Sequence, residues 1–370
     1  MISQIIFQKT PALKLIVIVS VALTIQCQAM ERDNYQKLLP IICTKPEYSF
    51  GNLAVDSIED AKPEENIKKI GQKVAWKNNY LLISSPWMDA NGNGGKLTVV
   101  NTQTKEIMWS EDGIFNDLSF CSQGLEFAAT IENMKNNKRE FCVYAIKNKS
   151  KTMGYCPKYV IFSFEWLSRD EIIIFDGTFN GAQRYKMNLK TMIMSDFSML
   201  HNFPYPRCVA IRKGGTSEIT MGWNNEIKIV DSSTGKVKKA SPWLQGAIVR
   251  KLSWSPDGEK LLVHRSLCGQ TREGYLSIYD RSNLEKPIFV LERRGSVSKW
   301  LNNDQLVTTD GKKIYVQNAD DGKIIKTFQK QAADGETISD ICINSEGTEI
   351  ASATKSSVDI WVIDSEESLT

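Results

Sequence analysis

The sequence predicts an all-β fold, a seven-bladed β-propeller with four strands per blade, and three observations carry that expectation. First, a bulky apolar anchor recurs as Trp76, Phe120, Trp166, Ile211, Trp254, Trp300 and Ile343, at spacings of 44, 46, 45, 43, 46 and 43 residues. Second, each anchor is followed by turn-forming residues and then by a short apolar run. Third, each repeat carries an Asp or Asn further on: Asn101, Asn148, Asn188, Asp231, Asp280, Asn318 and Asp364. A unit of this length cannot bury its own apolar face, so neighbouring units must stack.

The first two strands of each repeat are read from the stretch around its anchor. Leu252 leads through Trp254 into Pro256-Asp257-Gly258, and Leu261-Leu262-Val263 follows. Gln123-Gly124, Gly214-Gly215 and Glu346-Gly347 supply glycine for positive φ at the same place, and Asn78-Asn79 and Asn302-Asn303 tolerate it. The runs Leu81-Leu82-Ile83 and Ile172-Ile173-Ile174 are the matching second strands. The third strand ends at the Asx landmark, whose side chain is suited to bond the backbone two residues on. A fourth strand follows, as at Ile324 to Phe328. The runs are short, β-branched and bounded by Gly, Asn and Asp, which excludes a helical solenoid.

The last repeat stops after three strands, leaving an exposed edge. The lead before the first anchor contains two apolar segments, Leu38 to Cys43 and Phe50 to Ile58, and Asn52 to Ile58 is the preferred ring-closing strand. The expected organisation is a leader over 1–29, a lead with the closing strand over 30–66, and the propeller over 67–370.

The leader is expected to be a signal peptide. Lys9 and Lys14 precede an apolar run from Leu15 to Ile25, too short to span a bilayer, and Cys27-Gln28-Ala29 places cleavage after Ala29. An uncleaved anchor and a lipoprotein acylated at Cys27 are the alternatives. The expected location is periplasmic or secreted, with no stable membrane insertion after cleavage. The formal charge is +3, and two of those charges lie in the leader, so a near-neutral body argues against nucleic acid. Seven cysteines remain after cleavage: Cys43, Cys121, Cys142, Cys156, Cys208, Cys268 and Cys342. The odd count leaves a thiol unpaired. Cys142 and Cys156 flank Asn148 and are the disulfide candidate, facing one another across the third and fourth strands of the second repeat.

Ser253-Trp254-Ser255-Pro256-Asp257-Gly258 and the terminal Asp359-Ile360-Trp361-Val362-Ile363-Asp364 resemble the WD-repeat and WD-repeat-like propeller family, and the likeness runs over about residues 67 to 370. The family's Gly-His and Trp-Asp pairs are absent from regular positions. The resemblance implies an interaction scaffold, which is fold-level analogy. A second likeness is confined to one repeat. Asn101 to Trp109 looks like the Trp-docking repeat of quinoprotein-type propellers, a group that includes outer-membrane assembly proteins, but Ala240 and Phe328 stand where other repeats would carry the Trp.

The chain holds two histidines, His201 and His264, and neither lies in a nucleophile or metal motif. No cofactor is called for. Asp89, Asn91 and Asn93 imitate the first half of a calcium loop, but Val100 stands where the bidentate Glu is required, so a turn-rich hairpin is the preferred reading. The expected function is a non-enzymatic, monomeric platform for a protein or peptide; a propeller enzyme or quinoprotein-like protein acting through the central channel is the alternative. The binding face is expected where the second-to-third and inter-blade loops gather. The long loops Pro86 to Gly95, Glu132 to Glu140, Asp176 to Gln183 and Arg265 to Gly274 bring Trp87, Met88, Phe179, Arg265 and Arg272 there, and inter-blade segments add Tyr205 and Trp243. Aromatics and Arg are enriched in binding hot spots.

Overall fold

The computed structural model describes residues 48–51, 68–69 and 72–363, apart from 90–91, 134–137, 156–159, 179–180, 192, 197–207, 213–217, 224–225, 232–233, 235, 243–246, 268–273, 294–296 and 330–335. All of these fall in one compact unit, Cys43–Thr370. The expected leader lies outside the described residues. No helix among the described residues is long and apolar enough to cross a membrane.

The strands sort into seven antiparallel sheets, the blades. Their innermost strands are Lys73–Lys77, Ile114–Phe120, Val160–Trp166, Cys208–Ile211, Ala247–Trp254, Ser298–Trp300 and Asp340–Ile343, each ending on its predicted anchor or one residue beyond it. Blades one to six take their four strands consecutively from the chain. Blade seven has three C-terminal strands and borrows its outer one from the N-terminal lead, as expected from its open edge. That strand is Tyr48–Gly51, with Tyr48 opposite Ile360 and Gly51 opposite Ser357. It therefore begins before the preferred Asn52 to Ile58, which lies outside the described residues; Tyr-Ser-Phe brings aromatic β-formers to the edge on alternate positions.

Seven apolar clusters fill the seven seams between blades. In the second strand of blade one, Leu81 and Ile83 enter the seam with blade seven, while Leu82 enters the seam with blade two. Ile172 and Ile174 divide from Ile173 in the same way, as do Leu261 and Val263 from Leu262. Successive side chains on a strand point to opposite faces. These second strands are buried on both faces, which is why they read as continuous apolar runs.

The turns behave as their chemistry predicts. Gly124, Gly258 and Gly347 take φ of 70°, 76° and 72°, and Asn78 takes 49°. The Oδ1 atoms of Asn101, Asn188, Asp280 and Asn318 accept the backbone N–H two residues on, at 3.0, 3.0, 2.7 and 2.8 Å. Bonds between turns stitch neighbouring blades. Asn78 Nδ2 donates to the Gln123 carbonyl at 2.9 Å and Arg212 Nε to the Gly258 carbonyl at 2.9 Å. Trp166 and Trp300 each donate an indole N–H to a carbonyl 47 residues earlier, Ser119 and Ser253.

The third-to-fourth turn of blade two corrects the disulfide expectation. A tight turn sets Ser150 opposite Ala145, and a bulge between Lys151 and Met153 shifts the register by one residue. Gly154, not Cys156, therefore lies opposite Cys142. Cys142 is a buried free thiol, and burial pushes its pKa up. Cys156 lies outside the described residues.

Candidate functional site

The segment expected as the first long loop is mostly strand. Blade one's central hairpin pairs Tyr80–Asp89 with Gly92–Asn101, ten residues each, down to Asp89 opposite Gly92. The matching strands of blade six, Gln305–Thr309 and Lys313–Asn318, have five and six. Lys68 and Lys69 pair with Met88 and Trp87, adding a fifth strand at the projecting end. Trp87 is half-buried and faces Gly94 across the hairpin. The absence of a side chain there admits the indole, because a Cβ on Gly94 would stand 2.5 Å from Trp87 Nε1. Asp89 and Asn93 are on adjacent strands of this hairpin, and Asn91 lies outside the described residues.

Arg265 is a strand residue on Lys260–Leu267, half-buried, and its Nη2 donates to Ser277 Oγ of the same blade. Its Nε is buried with no acceptor among the described residues. Phe179, Tyr205, Trp243 and Arg272 lie outside the described residues. Trp109, which carried the quinoprotein-type likeness, wedges between blades one and two, with its ring 6.1 Å from that of Phe127 and 6.0 Å from that of Tyr144.

The central channel holds residues that the sequence reading did not single out. A cavity of about 300 Å³ is lined by Lys73, Asp117, Ser163, Lys251 and Asp340, each three residues before its anchor, and by Ser119, Glu165, Ser253 and Lys299, each one before. Counting back from the anchors is the sequence signal that finds them, since alternate residues of an inner strand share one face. His264, expected at a strand end, is in mid-strand and buried, with Nε2 on Ser298 Oγ of the next blade. Burial first, then Lys251 and Lys299, push its pKa down to about 3, so the imidazole is neutral at physiological pH. Lys251 is held down to about 8, first by the charge of Lys299 and then by desolvation; Asp340 and Asp117 oppose the shift. As a residue Lys251 is exposed, although protein surrounds the channel it lines.

Two of the three carboxylates there, Asp340 and Asp117, are engaged by bonds to backbone and hydroxyl groups. Asp340 Oδ2 accepts the Val74 N–H and its Oδ1 the Ile341 N–H, both at 3.1 Å, while Asp117 Oδ2 accepts the Thr130 hydroxyl at 2.9 Å. The cavity adjoins a wider mouth of about 640 Å³ on the first-to-second turn face, which shares Glu165 and Lys299 with it. Trp166, Trp254 and Trp300 line that mouth with Leu167, Ile211 and Pro256.

Seven four-stranded blades in a ring, closed by a strand from the other end of the chain, define a WD-repeat-like propeller fold. Solved structures agree. A chain in the crystal structure of the mitotic checkpoint complex has a TM-score of 0.64 at 11% identity, covering 90% of this chain and 99% of that one. The C-terminal WD40 domain of Sif2 has a TM-score of 0.55 at 11% identity, covering 80% and 82%. At such identities the likeness shows the fold alone. No family model and no curated protein matches the sequence.

Proposed function

We propose that this chain is an exported, non-enzymatic and monomeric propeller that holds a protein or peptide partner on the face where the second-to-third and inter-blade loops gather. The observation that carries this reading is the blade-one hairpin. Its strands exceed those of blade six by four or five residues, so it projects by about 15 Å at the usual rise per residue. It presents Trp87, a half-buried residue of a type favoured at binding hot spots. The fold supports the reading by analogy, since propellers of this type commonly serve as interaction platforms. Export rests on the leader chemistry of residues 1–29.

The test is capture from a cell-envelope extract with the chain from Met30 onward as bait. A partner recovered by the native chain should be lost from Trp87→Ala/Arg272→Ala, with thermal unfolding unchanged. Equal recovery by both baits would remove the face assignment.

A further inference from the structure

The channel lysines come from three different blades and meet in one confined space. Lys73 belongs to blade one, Lys251 to blade five and Lys299 to blade six, and all three line the same cavity. None of them forms a hydrogen bond or ion pair with a described residue, whereas Asp340 and Asp117, two of the three carboxylates that line the cavity together with Glu165, have turned oxygens to backbone and hydroxyl donors. Neutral donors also line the cavity. Ser163, Ser253 and Ser298 contribute hydroxyls, and the Nδ2 of Asn116 is buried with no acceptor among the described residues. The Asn116 amide and the three ammonium groups thus lack a hydrogen-bond acceptor among the described residues, although the three carboxylates of the lining match the three lysines in formal charge; buried polar groups are ordinarily hydrogen-bonded. A channel with low-dielectric walls also strengthens attraction for a counter-ion.

We propose that the central channel is a binding site for a small multivalent oxyanion of the sulfate or phosphate class, held by Lys73, Lys251 and Lys299 with Asn116 as a neutral donor. The cavity has room for such an ion with part of its hydration. The assignment does not depend on the partner-binding reading above, because it concerns a different part of the ring.

Charge linkage gives the proposal a distinctive signature. Lys251 is partly deprotonated at slightly alkaline pH because Lys299 repels its charge, desolvation opposes it and Lys73 adds to the repulsion, with Asp340 and Asp117 acting the other way, Glu165 a third carboxylate in the lining and His264 neutral. A bound dianion reverses that balance, so binding must draw a proton onto Lys251. Sulfate is the cleanest probe, because it does not itself titrate near neutrality.

The experiment is calorimetric titration of the propeller with sulfate at pH 8.5 in two buffers of different ionisation enthalpy, with chloride at matched ionic strength as the control. A second series uses inorganic phosphate. The expected result is saturable binding of sulfate and phosphate, absent with chloride, and proton uptake on sulfate binding. Lys251→Met and Lys299→Met should each weaken binding at least about ten-fold, the loss of one charge-assisted contact. Lys251→Met should also abolish the uptake. The exposed Lys312→Met should behave as the native chain. Because Lys251→Met relieves like-charge repulsion, it should fold at least as stably as the parent, and thermal unfolding checks this. Heats equal to those of chloride, or unchanged affinity in folded Lys251→Met and Lys299→Met, would overturn the assignment.

Discussion

The seam that closes the ring and the seam between blades one and two solve the same packing problem with different materials. Between blades one and two the chain inserts rings. Trp109, Phe115, Phe127 and Tyr144 meet there, and Tyr144 donates to Glu111 Oε1 at 2.9 Å. The closing seam packs smaller residues, including Cys342, Ala351, Ala353 and Val358, around Trp76. It then adds directional bonds: Val74 N–H to Asp340 at 3.1 Å, Ser339 Oγ to the Gln72 carbonyl at 2.7 Å, and Asn78 N–H to Ser345 Oγ at 2.9 Å. Those pairs are 266 or 267 residues apart, against 33 for Tyr144 and Glu111. Three doublings of loop length add about 2 kcal/mol of closure entropy. Directional bonds also cross the seam between blades one and two, Ser84 Oγ to the Phe115 carbonyl at 2.7 Å and Asn78 Nδ2 to the Gln123 carbonyl at 2.9 Å. The difference teaches that both seams fix register with bonds to the backbone, while the closing seam meets the larger entropy cost with less apolar bulk.

Removing the closing strand should break this contrast most severely. A chain starting at residue 52 loses Tyr48–Gly51 and bares the edge of Ser357–Val362. Its stability in urea should fall by at least about 4 kcal/mol relative to the chain from Met30, or it should self-associate through the open edge. Sedimentation distinguishes those two forms of failure, and an unchanged midpoint with a monomeric particle would show that the ring does not need the strand. Next in size is Phe127→Ala. Phe127 is fully buried, stacks on Tyr144 with centroids 5.1 Å apart, and also meets Trp109. The substitution should lower unfolding free energy by about 3–5 kcal/mol. A much smaller loss would mean that the aromatic seam repacks, and would narrow the distinction drawn above.

The repeat was legible in the sequence because it is written in local chemistry. An anchor, a turn with Gly or Asn, an apolar run and an Asx landmark all act within a few residues, and the structure uses Trp254, Gly258, Leu261 and Asp280 in those roles. The closing strand was legible as a need and missed in position, because Tyr48–Gly51 gains its meaning only from an edge some three hundred residues away. The register between Cys142 and Gly154 was hidden by a bulge at Lys151, which no residue type announces. The channel lysines were missed for a different reason. Lys73, Lys251 and Lys299 are ordinary surface-type residues until seven inner strands converge, and only counting back from each anchor reveals them. Phe179 and Arg272 remain the proposal that the loop lengths make, and Tyr205 and Trp243 the one that the inter-blade segments make.

Asp340 gives the finest test of how the closing seam works, because it belongs to both the seam and the channel. Its Oδ2 satisfies a buried Val74 N–H, and its charge favours the protonated form of Lys251. Asp340→Ala strands that N–H and should lower stability by about 1–3 kcal/mol. Asp340→Asn keeps an acceptor of the same shape while removing the charge, so it should recover most of that loss if the bond itself matters. Urea unfolding at neutral pH measures both. If Asn proves as damaging as Ala, the charge rather than the backbone bond does the stabilising, and the seam is held by its attraction to the lysines instead of by register. The direction of Lys251 separates the cases once more: either variant removes a favourable charge, so the amine should titrate lower than in the native chain. If Lys251 does not move while stability falls, Asp340 acts on the seam alone, and closure of the ring is independent of what the channel holds.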